Sequence, residues 1–167
     1  MYKRQALPSV ATLAEALAAL PDARFNVDVK HAGAVVPTAT ALAGAAGASR
    51  VLLTSFSRRR RRGVLRLVPT AATSASADGV AGVVAGLRLR APGLTRLALH
   101  GVDALQIPER AARTDLAAPW SIAAMHRAGV EVHFWVVNDP IRMRELVARG
   151  ADGVVTDRAD LARDALR

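Results

Sequence analysis

The chain alternates short apolar runs with segments of helical periodicity, and this order predicts repeated strand–helix units. Strand patterns cover residues 24–30, 50–57, 69–76, 104–109, 130–137 and 153–156. Residues 12–20 are predicted to be the end of a helix that Pro21 stops. Further helical patterns cover residues 35–46, 58–67, 79–89, 117–128, 140–149 and 159–166. Residues 90–99 show neither period clearly and are predicted to form a loop or a marginal strand.

Strands that alternate with helices are typical of an α/β protein with a parallel sheet. An open doubly wound sheet usually carries a glycine-rich phosphate turn after its first strand, and this chain has none. A (β/α)8 TIM barrel is therefore preferred. Such a barrel takes about 250 residues, so about 80 residues, or two units, are expected to be missing at the front. The prediction is an N-terminally truncated barrel of about six strand–helix units.

Composition narrows the functional classes. The 167 residues contain no cysteine, which excludes disulfides, thiolate catalysis and zinc–thiolate sites. No apolar run reaches the length of a membrane span. The net charge of +9 comes almost entirely from arginine, since Lys3 and Lys30 are the only lysines. Together with abundant alanine, this bias indicates a GC-rich coding background more than a nucleic-acid partner.

The first five residues, Met1-Tyr2-Lys3-Arg4-Gln5, are similar to a translated transposon-end adapter. Residues 1–5 are therefore predicted to be an artefact, and residues 6–167 a partial barrel domain. No secretory signal pattern is visible at the start. A cytoplasmic location is favoured, and secretion stays open because the natural start is expected to lie elsewhere.

Asp28 and Lys30 are the first candidates for chemistry. They lie two residues apart near the end of a predicted strand, so their side chains point to the same side. The carboxyl ends of barrel strands carry the active site in this fold class. A carboxylate and an ammonium there suit a divalent cation and a phosphate oxygen, although a plain ion pair explains the spacing equally well.

A second group of candidates follows the last two predicted strands. Trp135 is expected to lie in the strongest strand, where ordinary core packing is the simpler interpretation, and Asn138 at its end can reach a ligand or hold a loop. After the next strand, Thr156 or Asp157 is expected to cap the final helix.

Four segments, in order and at plausible spacing, resemble the glycerophosphodiester phosphodiesterase family. They are Phe25-Asn26-Val27-Asp28-Val29-Lys30, Ser55-Phe56-Ser57, Gly129-x-x-Val132-x-x-Trp135-Val136-Val137-Asn138 and Gly150-Ala151-Asp152-Gly153-Val154-Val155-Thr156-Asp157-Arg158. The resemblance implies metal-assisted hydrolysis of small-molecule glycerophosphodiesters to glycerol 3-phosphate and an alcohol. It also implies a Ca²⁺ or Mg²⁺ ion held by three carboxylates and two histidines for acid–base catalysis. By position, Asp28 would be the third carboxylate, Lys30 would contact the phosphate, and Trp135 would line the substrate pocket.

The family's His-Arg-Gly, Glu-x-Asp and His-Asp motifs have no counterpart in this sequence. His31, His100, His126 and His133 are each expected to be solvated or packed, so no catalytic residue is assigned. The chain alone is therefore predicted to be inactive. Its open strand edges are also expected to make it poorly soluble.

Two other functions stay open. Five consecutive arginines, Arg58 to Arg62, could bind a polyanion, although no aromatic residue interleaves with them to stack on bases. Nucleic acid is not the expected partner, because the run begins a predicted helix and can be a solvated face. A non-catalytic barrel used for binding is the other alternative, since Asp28 and Val136 depart from the family's Glu and Thr.

Overall fold

The computed structural model describes residues 10–44 and 47–167. The strands are β1 (Phe25–Asp28), β2 (Val51–Thr54), β3 (Ala72–Thr73), β4 (Ala104–Ile107), β5 (Arg110–Ala111), β6 (Thr114–Asp115), β7 (Glu131–Phe134) and β8 (Gly153–Val154). The helices are α1 (Leu13–Ala19), α2 (Val35–Gly44), α3 (Arg58–Leu65), α4 (Ala77–Arg88), α5 (Pro92–Ala98), α6 (Pro119–His126), α7 (Pro140–Ala148) and α8 (Ala159–Ala165). Residues 1–5, predicted from the sequence to be an artefact, lie outside the described residues.

The strands form two three-stranded sheets in which every neighbouring pair is parallel. The orders are β1-β2-β3 and β4-β7-β8, and a parallel bridge between Ser74 and Ala104 joins them. The exception to parallel pairing is the small antiparallel hairpin β5-β6. Because strands of one direction end at the same edge, the residues that follow β1, β2, β7 and β8 come together. The predicted α/β class with parallel strands is confirmed.

Local signals fix the helix starts. Thr12 caps α1 through a reciprocal pair of hydrogen bonds with Glu15. The Glu15 N–H donates to the Thr12 hydroxyl at 3.2 Å, and the Thr12 N–H donates to the Glu15 carboxylate at 2.7 Å. Asp139 caps α7 by accepting from the Ile141 N–H at 2.9 Å, and Pro140 occupies its first position as predicted. The expectation that residues 12–20 form only the end of a helix is wrong, because the Thr12 cap starts the helix there.

Two apolar cores fill the space between sheets and helices. Leu17, Leu42 and Leu53 are fully buried in the first core, between β1-β2 and helices α1 to α3. Leu105 and Phe134 belong to the second, which lies around β4 and β7 and against helices α4 to α8. Each core buries one side of its sheet, which accounts for the alternation of buried and less buried positions along β2 and β7.

The prediction of a loop or strand at residues 90–99 is wrong, because Pro92–Ala98 forms α5. Its seven residues are too few to show a clear period. Packing stabilises the helix instead: a Cβ on Gly82 would come within 2.7 Å of the Ala98 Cβ, and one on Gly86 within 2.4 Å of the Thr95 Oγ1. Glycines on α4 therefore let α5 approach closely, and only the assembled pair shows why this segment is helical.

Asp152 ties the last strand to its neighbours. Its Oδ2 accepts from the Val132 N–H at 2.7 Å and contacts His126 Nε2 at 2.8 Å. Burial raises the pKa of Asp152, but these two hydrogen bonds outweigh it and hold the pKa below its ordinary value of 3.8. The Asp152 carboxylate, directly before β8, therefore connects that strand to α6 and β7 by hydrogen bonds.

No helix of the described residues has the length and apolarity needed to cross a bilayer. The cellular location expected from the sequence stays a prediction.

Replacing Gly86 with Ala should lower the free energy of unfolding by about 1–3 kcal/mol, because the new methyl group overlaps the Thr95 backbone and hydroxyl. Gly93→Ala is the matched control, since a methyl group at Gly93 would meet nothing within 4 Å and alanine favours the helix. Urea denaturation measures the free energy of unfolding of both variants. Equal stability of the two variants would contradict the close packing of α4 and α5.

Asp152→Asn should lower the free energy of unfolding by about 1 kcal/mol at about pH 7, because it weakens two charge-assisted hydrogen bonds. A carboxylate with a depressed pKa stabilises the fold above its unfolded pKa, and this stabilisation is lost as the pH falls through the folded pKa. The difference between variant and wild type should therefore shrink at about pH 3. Asp164→Asn, which removes an exposed carboxylate beside Arg163, should have little effect at either pH.

Candidate functional site

A cleft of about 460 Å³ opens at the carboxyl ends of the parallel strands. Asp28 and Thr54, the last residues of β1 and β2, lie side by side in register on its wall. Trp135 and Val155, which follow β7 and β8, line it from the other sheet. Parallel pairing thus gathers residues far apart in the chain, and the cleft occupies the end where barrel enzymes carry their active sites.

Asp28 lines this cleft and forms an ion pair with Lys30, which is not among the residues that line it. Lys30 Nζ donates to Asp28 Oδ2 at 2.5 Å, and the Lys30 side chain is largely exposed. The other carboxylate oxygen, Asp28 Oδ1, is buried and has no hydrogen-bond partner. An exposed ion pair adds little stability, whereas a buried carboxylate oxygen without a donor is costly. The ion pair therefore leaves the buried Asp28 Oδ1 without a partner.

Trp135 forms the apolar side of the cleft together with Phe56. Their ring centroids are 6.5 Å apart at 69°, an edge-to-face contact. Trp135 follows β7 instead of lying within it, so it lines the cleft and is not ordinary core. Phe56 is 64% exposed and received no role from the sequence. Its position in the Ser-Phe-Ser segment, at the end of a strand, is the signal that could have found it.

Two polar side chains of the cleft lining join the two sheets. Asn26 Nδ2 donates to Gln106 Oε1 at 3.3 Å, joining β1 to β4 across the space between the two sheets. On the wall, the buried Ser55 hydroxyl donates to the Val29 carbonyl at 2.7 Å and accepts from Arg60 Nε at 3.2 Å. These bonds hold the ends of β1 and β2 together beside Asp28, and none was expected from the sequence.

Asn138 holds the loops after β7 and β8 together. Its Oδ1 accepts from the Thr156 hydroxyl and the Asp157 N–H, both at 2.9 Å. The expectation that Thr156 or Asp157 caps α8 is wrong. The residue before that helix is Arg158, with no side-chain cap, because the two side chains bond within their own loop and to Asn138.

None of the four histidines lines the cleft. His31 Nδ1 accepts from the Gly33 N–H at 3.0 Å, and His126 contacts Asp152. His133, within β7, contacts Glu131 at 3.2 Å, and His100 is exposed in the turn after α5. Their placement agrees with the packed or solvated roles expected from the sequence.

The run from Arg58 to Arg62 does not form one basic surface. Arg58 pairs with Asp78 at 3.1 Å, and Arg60 contacts Ser55. Arg61 is buried, donates to the Ser76 and Thr73 hydroxyls at 3.1 and 3.3 Å, and has its pKa lowered by that burial. The expected single solvated face is therefore incomplete, because helical geometry turns neighbouring residues to different sides.

The described residues do not complete a cation site. Among them, no three Asp, Glu, His or Cys side chains lie close enough to hold a metal ion together. Asp28 is the one carboxylate that lines the cleft. Its free Oδ1 fits a single oxygen ligand of a Ca²⁺ or Mg²⁺ ion, which needs about six.

Comparisons with known proteins extend this picture. The sequence profile described as "Glycerophosphoryl diester phosphodiesterase family" matches residues 1–161. A curated relative from Mycobacterium tuberculosis, described as "Probable glycerophosphodiester phosphodiesterase 2", is 39% identical over 161 residues. The match covers 95% of this chain and 60% of the relative, so the chain spans about three-fifths of that protein.

Solved structures share the fold. A glycerophosphodiester phosphodiesterase from Agrobacterium tumefaciens aligns with a TM-score of 0.68 at 21% identity, over 93% of this chain and 61% of that one. One from Parabacteroides distasonis aligns with a TM-score of 0.65 at 18% identity, over 92% of this chain and 61% of that one. The predicted TIM-barrel fold type is confirmed by these neighbours. The profile match over residues 1–161 and the 39% identical relative show that the chain belongs to the glycerophosphoryl diester phosphodiesterase family.

Proposed function

We propose that the protein to which this chain belongs hydrolyses glycerophosphodiesters to glycerol 3-phosphate and an alcohol, with the help of a divalent cation. Family membership supports the reaction class. The single observation that carries the proposal is the Asp28 carboxylate, which lines the cleft with one buried oxygen left without a donor. A buried acceptor of this kind is stable only when a cation or a donor satisfies it.

The proposal assigns three roles around the cleft. Asp28 would contribute one oxygen ligand to the cation, and the exposed ammonium of Lys30 would turn from Asp28 to a phosphate oxygen of the substrate. The ion pair holds the Lys30 ammonium beside the Asp28 carboxylate, which supports a shared ligand. Trp135, with Phe56 against its edge, would pack on the glycerol or alcohol part of the substrate. No step through the cation follows from these residues, since the described part of the chain does not complete its site.

We also propose that the chain represents about six of the eight units of a TIM barrel. The two joined parallel sheets support this, because their strands follow the chain order that a barrel requires. Coverage of 60–62% of several relatives points the same way.

The purified 167-residue chain should not hydrolyse glycerophosphocholine with either Ca²⁺ or Mg²⁺. The physical reason is that Asp28 alone cannot hold the cation, and no histidine lines the cleft to move a proton. Release of choline measures the reaction, and the Asp28→Asn variant prepared in parallel reports contaminating activity. Turnover by the wild type above that of the variant would refute the prediction.

Lys30→Met should weaken the binding of glycerol 3-phosphate about tenfold or more, because a charge-assisted hydrogen bond to phosphate is lost. Quenching of Trp135 fluorescence in a Trp120→Phe background measures the affinity. Arg24→Gln is the matched control, since it removes one positive charge from an exposed residue before the opposite end of β1.

The Asp28→Asn variant separates the proposal from a plain ion pair. With a chelator present, this change should strengthen binding of glycerol 3-phosphate, because Lys30 is released and a negative charge is removed. Unchanged affinity in both the Lys30 and the Asp28 variants would show that the pair does not face the phosphate.

A further inference from the structure

A second concave surface lies on the helical side of the molecule and shares no lining residue with the cleft. This outer groove is defined by Gly86, Leu87, Arg90, Ala91, Pro92, Thr95, Trp120, Ala124 and Arg127, and its volume is about 460 Å³. Its walls come from α4, α5 and α6. None of these residues has a role in the function proposed above.

The close packing of α4 on α5 builds the floor of the outer groove. Gly86 and Thr95 approach so closely that no side chain fits between them. Pro119 opens α6, and this places Trp120 in its first turn with 55% of the side chain exposed. A half-exposed tryptophan beside an apolar floor has one side buried and one side free for a partner.

The two chain segments that line the outer groove carry no acidic residue. The sequence contains no Asp or Glu from residue 79 to 102, or from 116 to 130. Arg90 and Arg127 are both exposed, and neither has a carboxylate within ion-pair distance among the described residues. Arg142, by contrast, contacts both Glu109 and Glu145. The cations at the groove are therefore left available for an external anion.

We propose that the outer groove docks the chain on a bilayer that contains anionic phospholipid. Tryptophan prefers the region between lipid headgroups and acyl chains, and arginines beside it attract acidic headgroups. Leu89, which precedes Arg90 in the turn between α4 and α5, is 71% exposed and adds an apolar contact at the rim. The combination of an exposed apolar rim with unpaired arginines complements an anionic interface in both charge and polarity.

A nucleic acid would satisfy the arginines but not the apolar rim. The two partners therefore differ in what happens to Trp120. Insertion into lipid moves its ring to an apolar environment, whereas simple adsorption by net charge does not. The emission of Trp120 consequently distinguishes a lipid partner from a nucleic acid.

The test uses the 167-residue chain with a Trp135→Phe change, which leaves Trp120 as its one tryptophan. Vesicles of phosphatidylcholine are compared with vesicles that also contain phosphatidylglycerol, by flotation and by Trp120 emission. We expect binding and a blue shift only with phosphatidylglycerol. Arg90→Gly and Arg127→Gln should each weaken binding roughly fivefold, and glycine suits the positive φ of 50° at Arg90.

Arg96→Gln is the matched control, because Arg96 is exposed on α5 but does not line the outer groove. This control should change binding less than about twofold if the groove is the docking site. An equal loss in the Arg96 and Arg127 variants would overturn the proposal, as would vesicle binding without a blue shift or the same shift with duplex DNA. Failure here leaves the proposed hydrolysis untouched, since the cleft and the outer groove share no residue.

Discussion

Parallel pairing of very short strands is the constraint on which the rest of the molecule depends. Each strand contributes at most four residues, so the register between strands decides which side chains reach the cleft. The pairing of Asp28 with Thr54 aligns the ends of β1 and β2, and the bridge from Ser74 to Ala104 carries the alignment into the second sheet. Trp135 reaches the cleft opposite Asp28 only because this chain of pairings holds.

The carboxyl end of β1 is more polar than stability alone would favour. Inward positions of a TIM barrel are usually filled by branched apolar residues, but here the Asp28 Oδ1 is buried without a donor. A buried polar atom without a partner costs about 1–3 kcal/mol. Polar groups that cost stability at the carboxyl ends of strands are typical of a binding site, and this agrees with the family to which the chain belongs.

The local surroundings of each arginine decide its role more than the net charge of the chain does. Neighbouring arginines of the 58–62 run are separated by the helix: Arg58 pairs with Asp78, whereas Arg61 is buried against hydroxyl groups. In contrast, Arg90 lies in the turn between α4 and α5 and Arg127 directly follows α6, and both line one groove with Trp120. A cluster of arginines in the sequence therefore need not be a cluster on the surface. A helix turns adjacent residues to different sides, and packing brings distant ones together.

By itself, the sequence determined the alternation of strands and helices, Pro140 at the first position of α7, and the family, since these depend on residues close together in the chain. The tertiary structure alone decided that residues 92–98 are helical, that Asn138 engages Thr156 and Asp157, and that Phe56 packs against Trp135. Each of these depends on a contact between distant segments. The free oxygen of Asp28 belongs to the same group, because an unsatisfied atom is defined by every neighbour that surrounds it.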